Sequence, residues 1–109
     1  MADLTSKKCV PCEIGTPPLT EAEFEPMLKS LKLEWEVIDR KKIKHEFKFK
    51  DFKEAMIFVN KIADIAESEG HHPDIYIYYN KVKIELTTHA AMGLSENDFI
   101  MAAKIEDLN

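Results

Sequence analysis

One stretch limits the folds open to this chain more than any other: Glu67-Ser68-Glu69-Gly70-His71-His72-Pro73, answered further on by Thr87-Thr88-His89. Between them, residues 74–86 are rich in β-branched, aromatic and charged side chains on either side of Asn80, the pattern of two strands around a tight turn. A hairpin there brings the chain back to where it began. If Tyr79-Asn80-Lys81 makes the turn, His71 faces His89; if only Asn80-Lys81 does, His72 faces His89. Either register gathers three of the four histidines into one place.

The flanks say what carries that hairpin. Phe52, Ala55, Met56, Val59, Ile62, Ala63 and Ala66 recur at helical spacing and read as core, with Asp51 as N-cap and Gly70 as the stop just before His71. After the hairpin, Ser95 caps a last helix with Asp98 at the capping-box position, Leu94 set to staple onto Phe99, and Ala102, Ala103 and Ile105 following. Upstream, Thr20, Glu23, Leu19 and Phe24 repeat that start, and Met27, Leu28 and Leu31 continue it, although Pro26 predicts a kink or a restart. Leu33–Ile38 and Ile43–Phe49 alternate as two strands joined by Asp39-Arg40-Lys41-Lys42. His45 falls on the apolar side of the second strand, where a half-buried ring with one hydrogen-bond partner is expected rather than a catalyst.

The order is therefore α-β-β-α-β-β-α: an α+β chain with a four-stranded antiparallel sheet and helices packed on one face. Residues 19–109 form a single domain, and residues 1–18, with their prolines and Gly15, read as an irregular or mobile N-terminal arm. Cys9-Val10-Pro11-Cys12 is a lone C-x2-C with no second ligand pair at a matching spacing, so it reads as two thiols in that arm. Reduced thiols and the lack of a leader-like apolar run predict a cytoplasmic protein. A net charge of −5 speaks against nucleic acid as a partner, and no apolar run approaches a membrane span.

Pro73 biases His72 toward extended backbone, where successive side chains point to opposite sides, so His71 and His72 have different parts to play. An imidazole with its ordinary pKa of about 6.5 can take or give a proton near neutrality. Two of them flanking a substrate can remove a proton at one atom and protonate a leaving hydroxyl at another, which is what a dehydration requires. No activated nucleophile accompanies them, and Gly15, Gly70 and Gly93 are too scattered to form a phosphate-binding loop. Two other readings stand beside this one: three histidines could hold zinc, or could be surface residues at a strand edge. Asp98 likewise has the plain reading of a helix cap.

The spacing Glu67-x3-His71-His72-Pro73, Tyr79, His89, Asp98 resembles the signature of the pterin-4a-carbinolamine dehydratases. Trp35, Phe47-Lys-Phe-Lys-Asp-Phe52, Tyr79-Asn-Lys-Val82 and Gly93-Leu-Ser-Glu96 support the resemblance, which runs from about Leu19 to the C-terminus. It implies loss of water from 4a-hydroxytetrahydrobiopterin to give quinonoid dihydropterin, recycling tetrahydropterin after aromatic amino acid hydroxylation. It implies His71, His72 and His89 as active-site histidines, with His71 and His89 in the acid–base roles. Asp98, Trp35, Pro73 and Glu67 would bind or orient. No cofactor and no metal are implied, and assembly would be a homodimer or homotetramer. Two other roles known for such proteins are a dimerisation cofactor for a transcription factor and a pterin-binding protein of molybdopterin metabolism.

Overall fold

Short hydrogen-bonded devices set the starts of the helices. The computed structural model describes residues 4–10 and 14–108. Helix α1 (Glu21–Ser30) opens on a reciprocal box: the Glu23 N–H donates to Thr20 Oγ1 at 3.3 Å, and the Thr20 N–H donates to Glu23 Oε1 at 2.8 Å. It runs on through Pro26 without the expected restart. A proline costs one helical hydrogen bond there, and burial of Phe24 with packing of Met27 and Leu28 on the core offsets it.

Strands β1 (Glu36–Ile38) and β2 (Lys42–Lys48) follow, joined through Asp39 and Arg40, both at positive φ (51° and 58°). Helix α2 (Phe52–Glu69) is capped by the Asp51 carboxylate, which accepts the Glu54 N–H at 2.9 Å, and ends at Gly70 with φ 68°. Its buried stripe is Ala55, Phe58, Ile62 and Ala66, rotated from the one expected. Phe52 lies exposed and stacks on Tyr79 instead of entering the core, because the aromatic that β2 accepts is Phe58, against Phe47.

Strands β3 (Asp74–Tyr78) and β4 (Lys81–Leu86) complete an antiparallel sheet in the order β1-β2-β4-β3. Ile43 and Phe47 of β2 and Val82, Ile84 and Leu86 of β4 are buried beneath the helices, while Lys44, Glu46 and Lys83 face away from them. Helix α3 (Glu96–Glu106) is buried nearly all round, from Asn97 to Ala103 and again at Ile105 and Glu106. The architecture is the α-β-β-α-β-β-α arrangement expected. No helix among the described residues is long and apolar enough to cross a membrane.

The arm is better anchored than its composition suggests. Leu4–Ser6 forms a short 3-10 turn with Leu4 buried. Lys7 pairs with Glu96 at 2.7 Å, the Cys9 N–H donates to Glu69 at 2.8 Å, and Asn97 exchanges hydrogen bonds with the Val10 N–H and carbonyl at 3.0 and 2.6 Å. Cys12 lies outside the described residues, so the cysteine pair as a unit has no structural description.

Candidate active site

The hairpin turn is Tyr79-Asn80, with Tyr79 at φ 52°, so Tyr78 pairs with Lys81 and Asp74 with Glu85. This differs from both expected registers, and the ladder ends before the histidines. Asn80 does not make the turn's positive-φ residue because its side chain is used elsewhere, donating to the Phe49 carbonyl at 3.0 Å. Neither His71 nor His72 therefore sits across a ladder from His89. Beyond Leu86 the chain leaves β4 in a closed loop, with Thr88 and Gly93 bridged by the Thr88 N–H to Gly93 carbonyl bond at 2.8 Å and its return at 3.3 Å. His89–Ala91 is a 3-10 turn within that loop.

What His71 meets is the first turn of α3. Its Nε2 lies 2.7 Å from Oδ1 of Asp98, with the His71 side chain 12% exposed and Asp98 fully buried. The other oxygen of Asp98 accepts the Ser95 N–H at 2.9 Å and lies 2.9 Å from the Thr88 hydroxyl. Asp98 therefore fills the capping role and meets a histidine as well. A carboxylate only accepts, so His71 carries its proton on Nε2 and leaves Nδ1 as its free atom.

His72 turns the other way, as extended backbone before Pro73 requires: its side chain is 60% exposed and its Nε2 lies 2.6 Å from Glu67 Oε2. A pair this open to water contributes little to stability. His89 is exposed and lines an open hollow of ≈ 750 Å³ between its own loop and residues 14–18. Among the described residues, no hydrogen bond or ring contact joins the three imidazoles, and no group of three His, Cys, Asp or Glu is arranged to hold a metal ion.

Trp35 is buried in the core, its indole N–H donating to Glu106 Oε2 at 2.9 Å and its ring against His45 and Phe47. His45 is a half-buried ring with one partner, Nδ1 donating to the Glu34 carbonyl at 2.8 Å. Thr88 is the residue that reading the sequence passes over. Its only signal there is adjacency to His89, and its contact with Asp98 spans ten residues and a loop.

Comparison with known proteins points one way. The family described as "Pterin 4 alpha carbinolamine dehydratase" matches residues 17–108. A protein of Alkaliphilus metalliredigens, provisionally named as a pterin-4-alpha-carbinolamine dehydratase, is 50% identical over 97% of this chain and 96% of its own. A Nitrosomonas eutropha protein with the same provisional name is 47% identical over 99% of this chain and 95% of its own. A crystal structure described as a transcriptional coactivator/pterin dehydratase from Brucella melitensis superposes with a TM-score of 0.78 at 39% identity, covering 84% of this chain and 97% of that one. A pterin dehydratase-like protein described as a RuBisCO assembly factor shares the fold at a TM-score of 0.59 and 22% identity, covering 68% of this chain and 87% of that one.

Proposed function

The chain belongs to the pterin-4a-carbinolamine dehydratase family, and from that premise we propose that it dehydrates 4a-hydroxytetrahydrobiopterin to quinonoid dihydropterin by histidine acid–base catalysis. The observation that carries this reading is the 2.7 Å contact between His71 Nε2 and the buried Asp98. An imidazole fixed in one tautomer by a buried carboxylate presents its other nitrogen ready to accept a proton. His71 takes the N5 proton at Nδ1 as the C4a–O bond breaks, and His89, at the rim of its hollow, protonates the departing hydroxyl so that it leaves as water. His72, oriented by Glu67 and by the backbone before Pro73, shapes and binds. Trp35 supports the sheet from the core side.

The product is the oxidised pterin that a reductase returns to tetrahydropterin for aromatic amino acid hydroxylation. We assign the work to the cytoplasm and to a homodimer or homotetramer, for which the outer edges of β1 and β3, unpaired among the described residues, offer docking sites.

The test is the rate of loss of freshly generated 4a-hydroxytetrahydropterin, followed by ultraviolet absorbance against a protein-free control. Wild type should accelerate the reaction with or without chelator. His71→Ala and His89→Ala should each lose at least about tenfold, or about 1.4 kcal/mol of transition-state stabilisation. A folded wild type that leaves the spontaneous rate unchanged would sink the proposal, and acceleration abolished by chelator would move the histidines to a metal.

A further inference from the structure

We propose that Thr88, backed by Ser95, is a positioning residue that holds the Asp98 carboxylate in the plane that keeps Oδ1 on Nε2 of His71, and so keeps the His71 proton on that nitrogen. Its kinetic consequence rests on the dehydratase reading; its structural consequence does not.

Thr88 Oγ1 lies 2.9 Å from Asp98 Oδ2 and 2.7 Å from Ser95 Oγ. A hydroxyl has one proton to give, and a carboxylate has none. The Thr88 proton therefore goes to Asp98, and Ser95 Oγ donates to Thr88. The Ser95 N–H reaches the same carboxylate oxygen at 2.9 Å. Oδ2 thus takes two donors from two segments of chain, the loop after β4 and the start of α3. Oδ1 is left to one partner, Nε2 of His71.

With the Ser95 N–H as its sole anchor at Oδ2, the carboxylate could turn about its Cβ–Cγ bond and draw Oδ1 off His71. Two donors of different origin fix its plane. Thr88 cannot relax toward water, because it is 5% exposed and its backbone is locked to Gly93 in both directions. The next residue is His89, so one short segment fixes the tautomer of one histidine and carries the other.

Thr88→Val keeps the buried shape and deletes the donor; Thr88→Ser keeps the donor. Long-range 15N–1H spectra of the imidazoles should show wild-type His71 as the Nε2–H tautomer, Thr88→Val as a mixture of tautomers, and Thr88→Ser as wild type. In the dehydration assay, Thr88→Val should lower kcat about tenfold with KM within about twofold, and Thr88→Ser should recover most of it. Ser95→Ala leaves the packing of Thr88 intact and should show the same two changes at smaller size, so the idea stays testable if Thr88→Val does not fold. A wild-type tautomer and kcat in both Thr88→Val and Ser95→Ala would overturn the proposal. So would a Thr88→Ser chain as impaired as Thr88→Val, which would make Thr88 a packing residue. If wild type itself shows no dehydratase activity, the functional reading fails, while the spectra still decide the role of Thr88.

Discussion

His71 Nε2 and Asp98 Oδ1 lie 2.7 Å apart across 27 residues of sequence, joining the segment after α2 to the first turn of α3. Replacing Asp98 with asparagine tests what that contact does. The Ser95 N–H and Thr88 hydroxyl still demand an oxygen at the Oδ2 position, so the amide nitrogen must take the place of Oδ1. His71 would then accept at Nε2 and carry its proton on Nδ1, the wrong atom for a base. Asp98→Asn should keep the fold and lower kcat on the order of a hundredfold or more, checked by steady-state dehydration beside circular dichroism. Asp98→Ala should in addition cost about 2–4 kcal/mol in urea denaturation, because it strands three donors, the buried Thr88 hydroxyl and the part-buried His71 and Ser95 N–H groups.

Gly93 is required by a close approach rather than by its backbone angles. A Cβ there would sit 2.8 Å from Cβ of Pro18, and neither atom is the end of a flexible chain. Gly93→Ala should destabilise by about 1–3 kcal/mol. Pro18→Gly removes the obstructing atom, so the double variant should recover part of the loss. Strictly additive effects in that cycle would show that the two residues do not meet.

Glu106, at the end of α3, accepts the Lys32 N–H at 2.9 Å, the Leu33 N–H at 2.8 Å and the Trp35 indole N–H at 2.9 Å. Glutamine would turn an amide donor onto at least one of these donors. Glu106→Gln should therefore cost about 2–4 kcal/mol. The chain has one tryptophan, so its fluorescence should both report the unfolding and shift in the native state. An unchanged urea midpoint would remove Glu106 from the account of stability.

The Cys9 thiol is pushed up to about 12, first by burial and then by the nearby Glu69 carboxylate, with Lys104 acting the other way. In a Cys12→Ser chain Cys9 is the single thiol. Its alkylation at pH 8 should run at least roughly thirtyfold slower than that of a free cysteine, since the smaller thiolate fraction outweighs its greater nucleophilicity. The sign for stability follows from a raised folded-state value. The contribution of the neutral, buried thiol is whole below the ordinary value of 9.0 and is lost as pH rises from there toward about 12. Alkylation at the free-cysteine rate would mean that the arm is undocked in solution.

The parts that could be read from the sequence are those whose causes are local. The Thr20–Glu23 box, the Asp51 cap and the Gly70 stop each depend on residues within one turn, and all form. The sequence puts the hairpin turn at Tyr79-Asn80-Lys81 or Asn80-Lys81, whereas the structure turns at Tyr79-Asn80 with the positive φ on Tyr79. The Asn80 side chain is tied to the distant Phe49 carbonyl, a tertiary bond no local pattern announces. With that one-residue shift the ladder stops at Asp74 and Glu85, and His71, beyond it, meets Asp98 rather than a ladder partner. The rotated stripe of α2 has the same kind of cause, because the sheet chooses between Phe52 and Phe58 and the helical period alone does not. Asp98 was visible as a cap and, through resemblance, as a partner of histidine. Its link to Thr88 was not, since it depends on how the loop after β4 closes.

The docked arm has a consequence for when the fold can finish. Lys7 and Val10 find their partners 89 and 87 residues away, in Glu96 and Asn97, and Thr5 accepts from Lys104 at a separation of 99. During synthesis residues 4–10 leave the ribosome long before those partners exist, and closing so long a loop is among the slowest ways to form a contact. The arm is thus expected to stay unbound while the hairpins and α2 assemble, and to close over α3 as the last step of folding. Its closure would fasten the same helical turn that presents Asp98.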